Sequence, residues 1–99
     1  MNQHLDTTAY IDLHCLEIDD AIPICKQKIY DVAQLSKANN QELILNILTS
    51  EEQIYEGINA IWETVKYELQ LDHFWISKTN TILVRIDPLT IENPVLKEW

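Results

Sequence analysis

The spacing of apolar residues changes character along this chain, and that succession of periods constrains its fold more than any other feature. Residues 9–14 alternate apolar and polar, so Ile11 and Leu13 face one side of a short strand while Asp12 and His14 share the other. From Ile18 the positions Ile22, Cys25, Ile29 and Val32 step by three and four, the stripe of an amphipathic helix running to about Ser36. That helix is expected to begin near Asp19 or Asp20, either of which can cap it. Pro23 is tolerated in a first turn, where amides lack intrahelical partners, and kinks a helix deeper inside. Polar residues 37–41 then lead into 43–48, a near-continuous apolar run that suits a central strand covered on both faces.

Ser50, Glu51, Glu52 and Gln53 match a capping box, in which the serine hydroxyl and the glutamine side chain satisfy free backbone amides reciprocally. A second helix is expected from there, with Ile54, Ile58, Ile61, Trp62, Val65 and Leu69 inward and Glu56, Glu63 and Lys66 outward. Gly57 falls inside it, where close packing on a neighbour is the expected reason for a glycine. Residues 73–76 and 81–86 are β-rich and flank a turn at 78–80, in which Asn80 is best suited to a positive φ. The element order is therefore β-α-β-α-β-β: an α/β two-layer sandwich with a mixed four-stranded sheet and two helices. Residues 1–8 read as a flexible lead-in, 9–87 as the domain, and 88–99 as an extension. Leu89, Ile91, Val95, Leu96 and Trp99 make that extension too apolar for an idle tail.

A chain of 99 residues, 46% of them apolar, is sized for one domain with one modest core. The opening residues lack the pattern of a secretory signal and no apolar run approaches a membrane span, so a cytoplasmic or nuclear location without membrane association is expected. Cys15 and Cys25 are too few for a disulfide scaffold, and both are expected as reduced, partly buried thiols. A metal site from His14, Cys15 and Cys25 fails because neighbouring strand residues point to opposite faces, and no cofactor is implied.

Sixteen acidic residues oppose seven Lys and Arg, a formal net charge of −9. Phosphate polyanions are bound largely through cations, so this balance opposes RNA or DNA unless the few cations cluster, and it favours a basic protein partner. Lys26, Lys28, Lys37, Lys66, Lys78 and Arg85 are the candidates for such a cluster.

The phrase Ile11-Asp12-Leu13-His14-Cys15-Leu16, followed by an amphipathic helix, resembles the opening of an Smr (small MutS-related) domain, a hydrophobe-Asp-x-His-Gly-Leu; here the glycine is Cys15. Residues 67–75 and 80–86 are similar to the end of that family's second helix and its last two strands, so the resemblance spans roughly residues 9–87. It implies a domain that binds or nicks DNA or RNA, with the Asp-x-His strand end beside a glycine-rich loop after the second strand. That loop falls at residues 49–52, where this chain carries two glutamates and no glycine. Acids at a helix start stabilise the helix and repel a phosphate.

Asp12 can hold the His14 imidazole in one tautomer and raise its basicity, so His14 is the candidate general acid or base beside a scissile phosphate. The bland reading of the same pair is a hydrogen-bonded strand end. Lys78 and Arg85 are the candidate phosphate contacts. Trp62, Tyr67, Phe74 and Trp75 can serve as a stacking platform or as core, with core favoured for Trp62. Phe74 and Ile76 share one face of their strand and Trp75 the other, so Trp75 is the anchor for a base or partner if its face is solvated. His73 is expected at the surface, and His4 lies in the lead-in. Two functions follow: a divergent Smr-like nucleic-acid-acting domain, endonucleolytic if its Asp-x-His site is intact, or a non-catalytic acidic module that binds a basic protein.

Overall fold

In the computed structural model, residues 8–50, 53–55 and 57–92 are described, apart from the side chains of Tyr55 and Ser77. β1 (Thr8–Asp12) is followed by α1 (Ile18–Asn39), β2 (Leu43–Leu48), a two-residue pair β3 (Ile54–Tyr55) and β4 (Ile58–Asn59), and α2 (Ala60–Glu63), which widens into a π-helical turn over Thr64–Glu68. β5 (His73–Ile76) and β6 (Thr81–Ile86) close the fold, with a short 3₁₀ turn at Thr90–Glu92. The main sheet is mixed, in the order β1-β2-β6-β5. β1 runs parallel to β2 through a crossover that contains α1, while β2 with β6 and β6 with β5 are antiparallel. The expected α/β sandwich with four strands and two helices is thus present.

Side chains from α1 (Ala21, Cys25, Ile29, Val32, Ala33) and from the second helical segment (Ile61, Val65, Leu69) share one buried cluster with Leu43, Leu45, Ile47, Ile82, Val84 and Ile86. Both helices therefore cover the same sheet face. The other face, with Tyr10, Ile44, Asn46, Leu48, Phe74, Leu83 and Arg85 at alternate positions, has no helix over it among the described residues. This corrects the expectation for β2, which is central in the sheet yet covered on one side only: Leu43, Leu45 and Ile47 are buried, whereas Ile44, Asn46 and Leu48 keep part of their surface in water.

α1 begins at Ile18, earlier than either aspartate, behind an extended Glu17 that makes no side-chain cap. Asp19 and Asp20 sit in its first turn, where their charge complements the positive end of the helix. Pro23 lies exposed inside the helix, one turn beyond its free amides, and the helix continues through it to Asn39. Asn40 ends it with φ 49°, and Ser36, fully buried, donates its hydroxyl to the Gln41 carbonyl at 2.6 Å.

The long second helix is overturned. Gly57 has φ +81° in the turn between β3 and β4, and a Cβ there would meet nothing within 4 Å, so its role is backbone conformation rather than close packing. Ile58, expected inward, is 44% exposed. The helix starts only at Ala60, where the Asn59 side-chain oxygen accepts from the amides of Ile61 (2.9 Å) and Trp62 (3.1 Å). The glutamine half of the capping box does form, with Gln53 Oε1 accepting from the Ser50 amide at 2.8 Å, but it closes a turn instead of starting a helix. Asn80 takes φ 49° in the β5–β6 turn, as its sequence predicts.

Of the two thiols expected to be partly buried, Cys25 is fully buried and Cys15 is exposed. His73 is half-buried, edge-on to the Trp62 ring at 5.7 Å between centroids, rather than on the surface. The lead-in apart from Thr8, and the extension beyond Glu92, lie outside the described residues; Thr8 already pairs with Ile44, and Ile91 packs on the core. No described helix is long and apolar enough to cross a membrane.

Candidate functional site at the end of the first strand

The chain leaves the sheet at Asp12. The Leu13 amide still donates to the Leu48 carbonyl at 2.8 Å, and the Leu16 amide then donates to the Leu13 carbonyl at 3.0 Å, which folds residues 13–16 into a turn. Within it Asp12 Oδ1 accepts from the His14 amide at 3.0 Å and is also bonded to His14 Nδ1. These two hydrogen bonds, the ring bond first, hold the Asp12 carboxyl below its ordinary value. An ionised carboxylate can only accept, so Nδ1 carries the proton and Nε2 is left as an acceptor when the ring is neutral. Nε2 faces the Cys15 sulfur at 3.1 Å. The Asp12 and His14 side chains are just over half exposed.

Gln53 locks this turn to the loop after β2. Fully buried, it donates Nε2 to the carbonyls of Leu13 and Leu16, the latter at 3.0 Å. The described amides of that loop have protein partners as well. Thr49 donates its amide (2.9 Å) and its hydroxyl (2.7 Å) to the Asn80 carbonyl, and the Thr49 hydroxyl accepts from Asn59 Nδ2 at 2.9 Å. The amides of Ser50 and Gln53 go to Gln53 Oε1 and to the Ser50 carbonyl. A phosphate cradle needs backbone N–H groups that point outward, and those of Leu13, His14, Leu16, Thr49, Ser50 and Gln53 all have protein acceptors. Glu51 and Glu52 lie outside the described residues.

The other sequence candidates do not converge on Asp12 and His14. Arg85 sits toward the opposite end of the sheet, paired with Ile44 while Asp12 is paired with Leu48, a separation of roughly 15 Å by strand geometry. Its guanidinium is taken by Asp72 at 2.6 Å and Glu42 at 3.4 Å, and the Asp72 bond raises its pKa. Lys78, exposed in the β5–β6 turn, is at the same sheet end as His14 but roughly 10–15 Å across the strands. Lys26 pairs with Glu68 and Lys37 with Glu92, and Lys66 lies over the Trp62 ring at 4.5 Å.

Trp75 lies on the helix-covered face, half-buried against the core, so its solvation condition is not met; it walls a cleft of about 220 Å³ with Trp62, Ile54, Ile58, Gly57 and Asn59. The exposed aromatic of that strand is Phe74, at 64%. Phe74 pairs with Leu83, Leu83 with Asn46 and Asn46 with Tyr10, so one row crosses the whole open face. Beside it a shallow groove of about 340 Å³ is lined by Ile44, Phe74, Leu83, Asp72 and Arg85. Period-two patterning had put Phe74 and Ile76 together; it carried no signal for which face the helices would choose.

Fold and site together define a two-layer α/β domain with one sheet face open among the described residues and a polar turn at its edge. Set against protein-family models, curated proteins and solved structures, the chain matches none of them.

Proposed function

We propose that this chain is a protein-interaction module whose open sheet face takes an amphipathic, positively charged segment of a partner protein. The observation that carries this reading is the composition of that face. Tyr10 and Phe74, 65% and 64% exposed, end a row whose middle is Asn46 and Leu83, with Ile44 and Leu48 beside it, and Asp12, Glu42 and Asp72 stand exposed at the ends of the face. The apolar residues of the face supply the burial energy of a contact, and an acidic rim on a chain of net charge −9 selects a basic partner. The face's own cation, Arg85, is already held by two carboxylates, which removes it from competition for a polyanion.

Titration with a fluorescein-labelled Leu/Lys amphipathic peptide tests this. Binding is expected for that peptide and not for its Leu/Glu counterpart, with Phe74→Asp weakening it by at least about tenfold, roughly 1.4 kcal/mol. Equal binding by Phe74→Asp, or no binding of the Leu/Lys peptide, removes the reading.

A second reading keeps the Smr-like nucleic-acid chemistry and is favoured by the Asp12–His14 pair itself. His14 then acts as general acid or base with Asp12 as its orienting group, and Lys78 contributes a phosphate contact. It predicts nicking of RNA or DNA that His14→Ala abolishes with folding intact. Absence of binding to a single-stranded oligonucleotide at low salt ends it.

A further inference from the structure

We infer that Cys15 is a site of covalent thiol chemistry, in which His14 takes the thiol proton and Asp12 orients the imidazole, and that its substrates are small neutral or cationic disulfides. The proposal stands on geometry the partner-binding reading does not use. Nucleophile and base within hydrogen-bond reach, with the base oriented by a third group, is the arrangement that activates a sulfur. Here the three side chains follow one another as carboxylate, imidazole Nδ1, imidazole Nε2 and Sγ, the last contact at 3.1 Å. Cys15 is exposed at the turn between β1 and α1, so a reagent can reach it.

The molecule supplies its own control. Cys25, on the inner stripe of α1, is fully buried, and burial pushes its thiol up to about 12, so it stays protonated and out of reach. One chain thus holds a thiol with a base beside it and a thiol without access.

The exchange balances without any further component. The Cys15 proton passes to His14 Nε2 as the sulfur attacks one atom of the disulfide. A new S–S bond forms, the old one breaks, and the departing thiolate takes the proton from His14. Cys15 is oxidised to a mixed disulfide and the leaving half is reduced to a free thiol. Substrate charge follows from the surroundings: Asp12, Glu17, Asp19 and Asp20 all lie within a few residues of the sulfur and are exposed, so anionic disulfides are repelled.

Cystamine, a dication, and glutathione disulfide, an anion, are the two probes. Incubation of the intact chain with cystamine, followed by mass spectrometry and peptide mapping, is expected to give one adduct, on Cys15, absent in Cys15→Ser. The rate should exceed that of the urea-unfolded chain by about tenfold, and exceed the glutathione disulfide rate by a margin that shrinks as salt is added. His14→Gln should fall to the unfolded-chain rate. Asp12→Asn, a change at a positioning residue, should slow the reaction and displace its pH profile while leaving the circular dichroism unchanged. The proposal is overturned by an adduct on Cys25, by a folded chain no faster than the unfolded one, or by His14→Gln reacting at the wild-type rate. The folded-to-unfolded comparison decides the matter even if the His14 variant does not fold.

Discussion

The two faces of the sheet are made from the same four strands and the same kinds of residue, yet they do opposite things. On the inner face Leu45, Ile47, Ile82 and Val84 are fully buried beneath two helical segments. On the outer face Phe74 and Tyr10 stay about two-thirds in water beside a shallow groove. Apolar character is therefore not what makes a position structural here; a covering element is. Among the described residues the inner face packs the core, and the outer face has no helix over it.

The largest test of that contrast is a pair of truncations one strand apart. Leu45→Ala should cost about 2–5 kcal/mol in urea unfolding, whereas Leu83→Ala on the open face should cost less than about 1 kcal/mol. Similar losses would mean that the outer face is also core. Next in size is the clasp at the edge of the sheet. Gln53→Ala removes the side-chain partners of two carbonyls and the Ser50 amide, and is expected to cost about 1–3 kcal/mol, read by the same denaturation curve.

Alkaline pH then sharpens the contrast between the inner and outer cysteines. Burial raises the Cys25 thiol from 9.0 to about 12, so the folded state prefers the proton. Its contribution is complete below pH 9 and declines through the interval up to about 12, by up to about 1.4 kcal/mol per pH unit. Wild type should lose stability over that range more steeply than Cys25→Ala, in which every other titrating group is retained.

The smallest effect is expected at Asp12, whose carboxyl is held below its ordinary 3.8 by His14. The stability it confers is present above that value and is lost as pH falls through the lowered one. Asp12→Asn should therefore flatten the acid limb of the stability–pH curve only slightly, because the pair is open to solvent.

Much of this architecture was legible from local pattern. β2, β5 and β6 occupy the segments their composition marked, α1 follows its apolar stripe, and Asn80 takes the turn conformation assigned to it. The second helix was not legible, for a specific reason. Ile54, Ile58, Ile61 and Val65 keep helical spacing, but Gly57 adopts a left-handed conformation and Asn59 caps the helix, so the first half becomes a hairpin. Both residues are in the sequence, but neither alters the helical period of the apolar positions around it. The candidate site was half legible. Asp12 and His14 do meet, while Cys15 looked like a replaced glycine and proves to be the third member of the chain of contacts.

By itself the sequence determined the succession of strands and helices, the single core and the acidic balance, because each depends on neighbours within a few residues or on a sum over all of them. The tertiary structure alone decided which sheet face the helices cover. It also decided that Arg85 meets Asp72 and Glu42, and that Thr49 spends its amide on the Asn80 carbonyl. Those outcomes depend on strand register and helix placement, which bring together residues tens of positions apart and leave no mark in any local period.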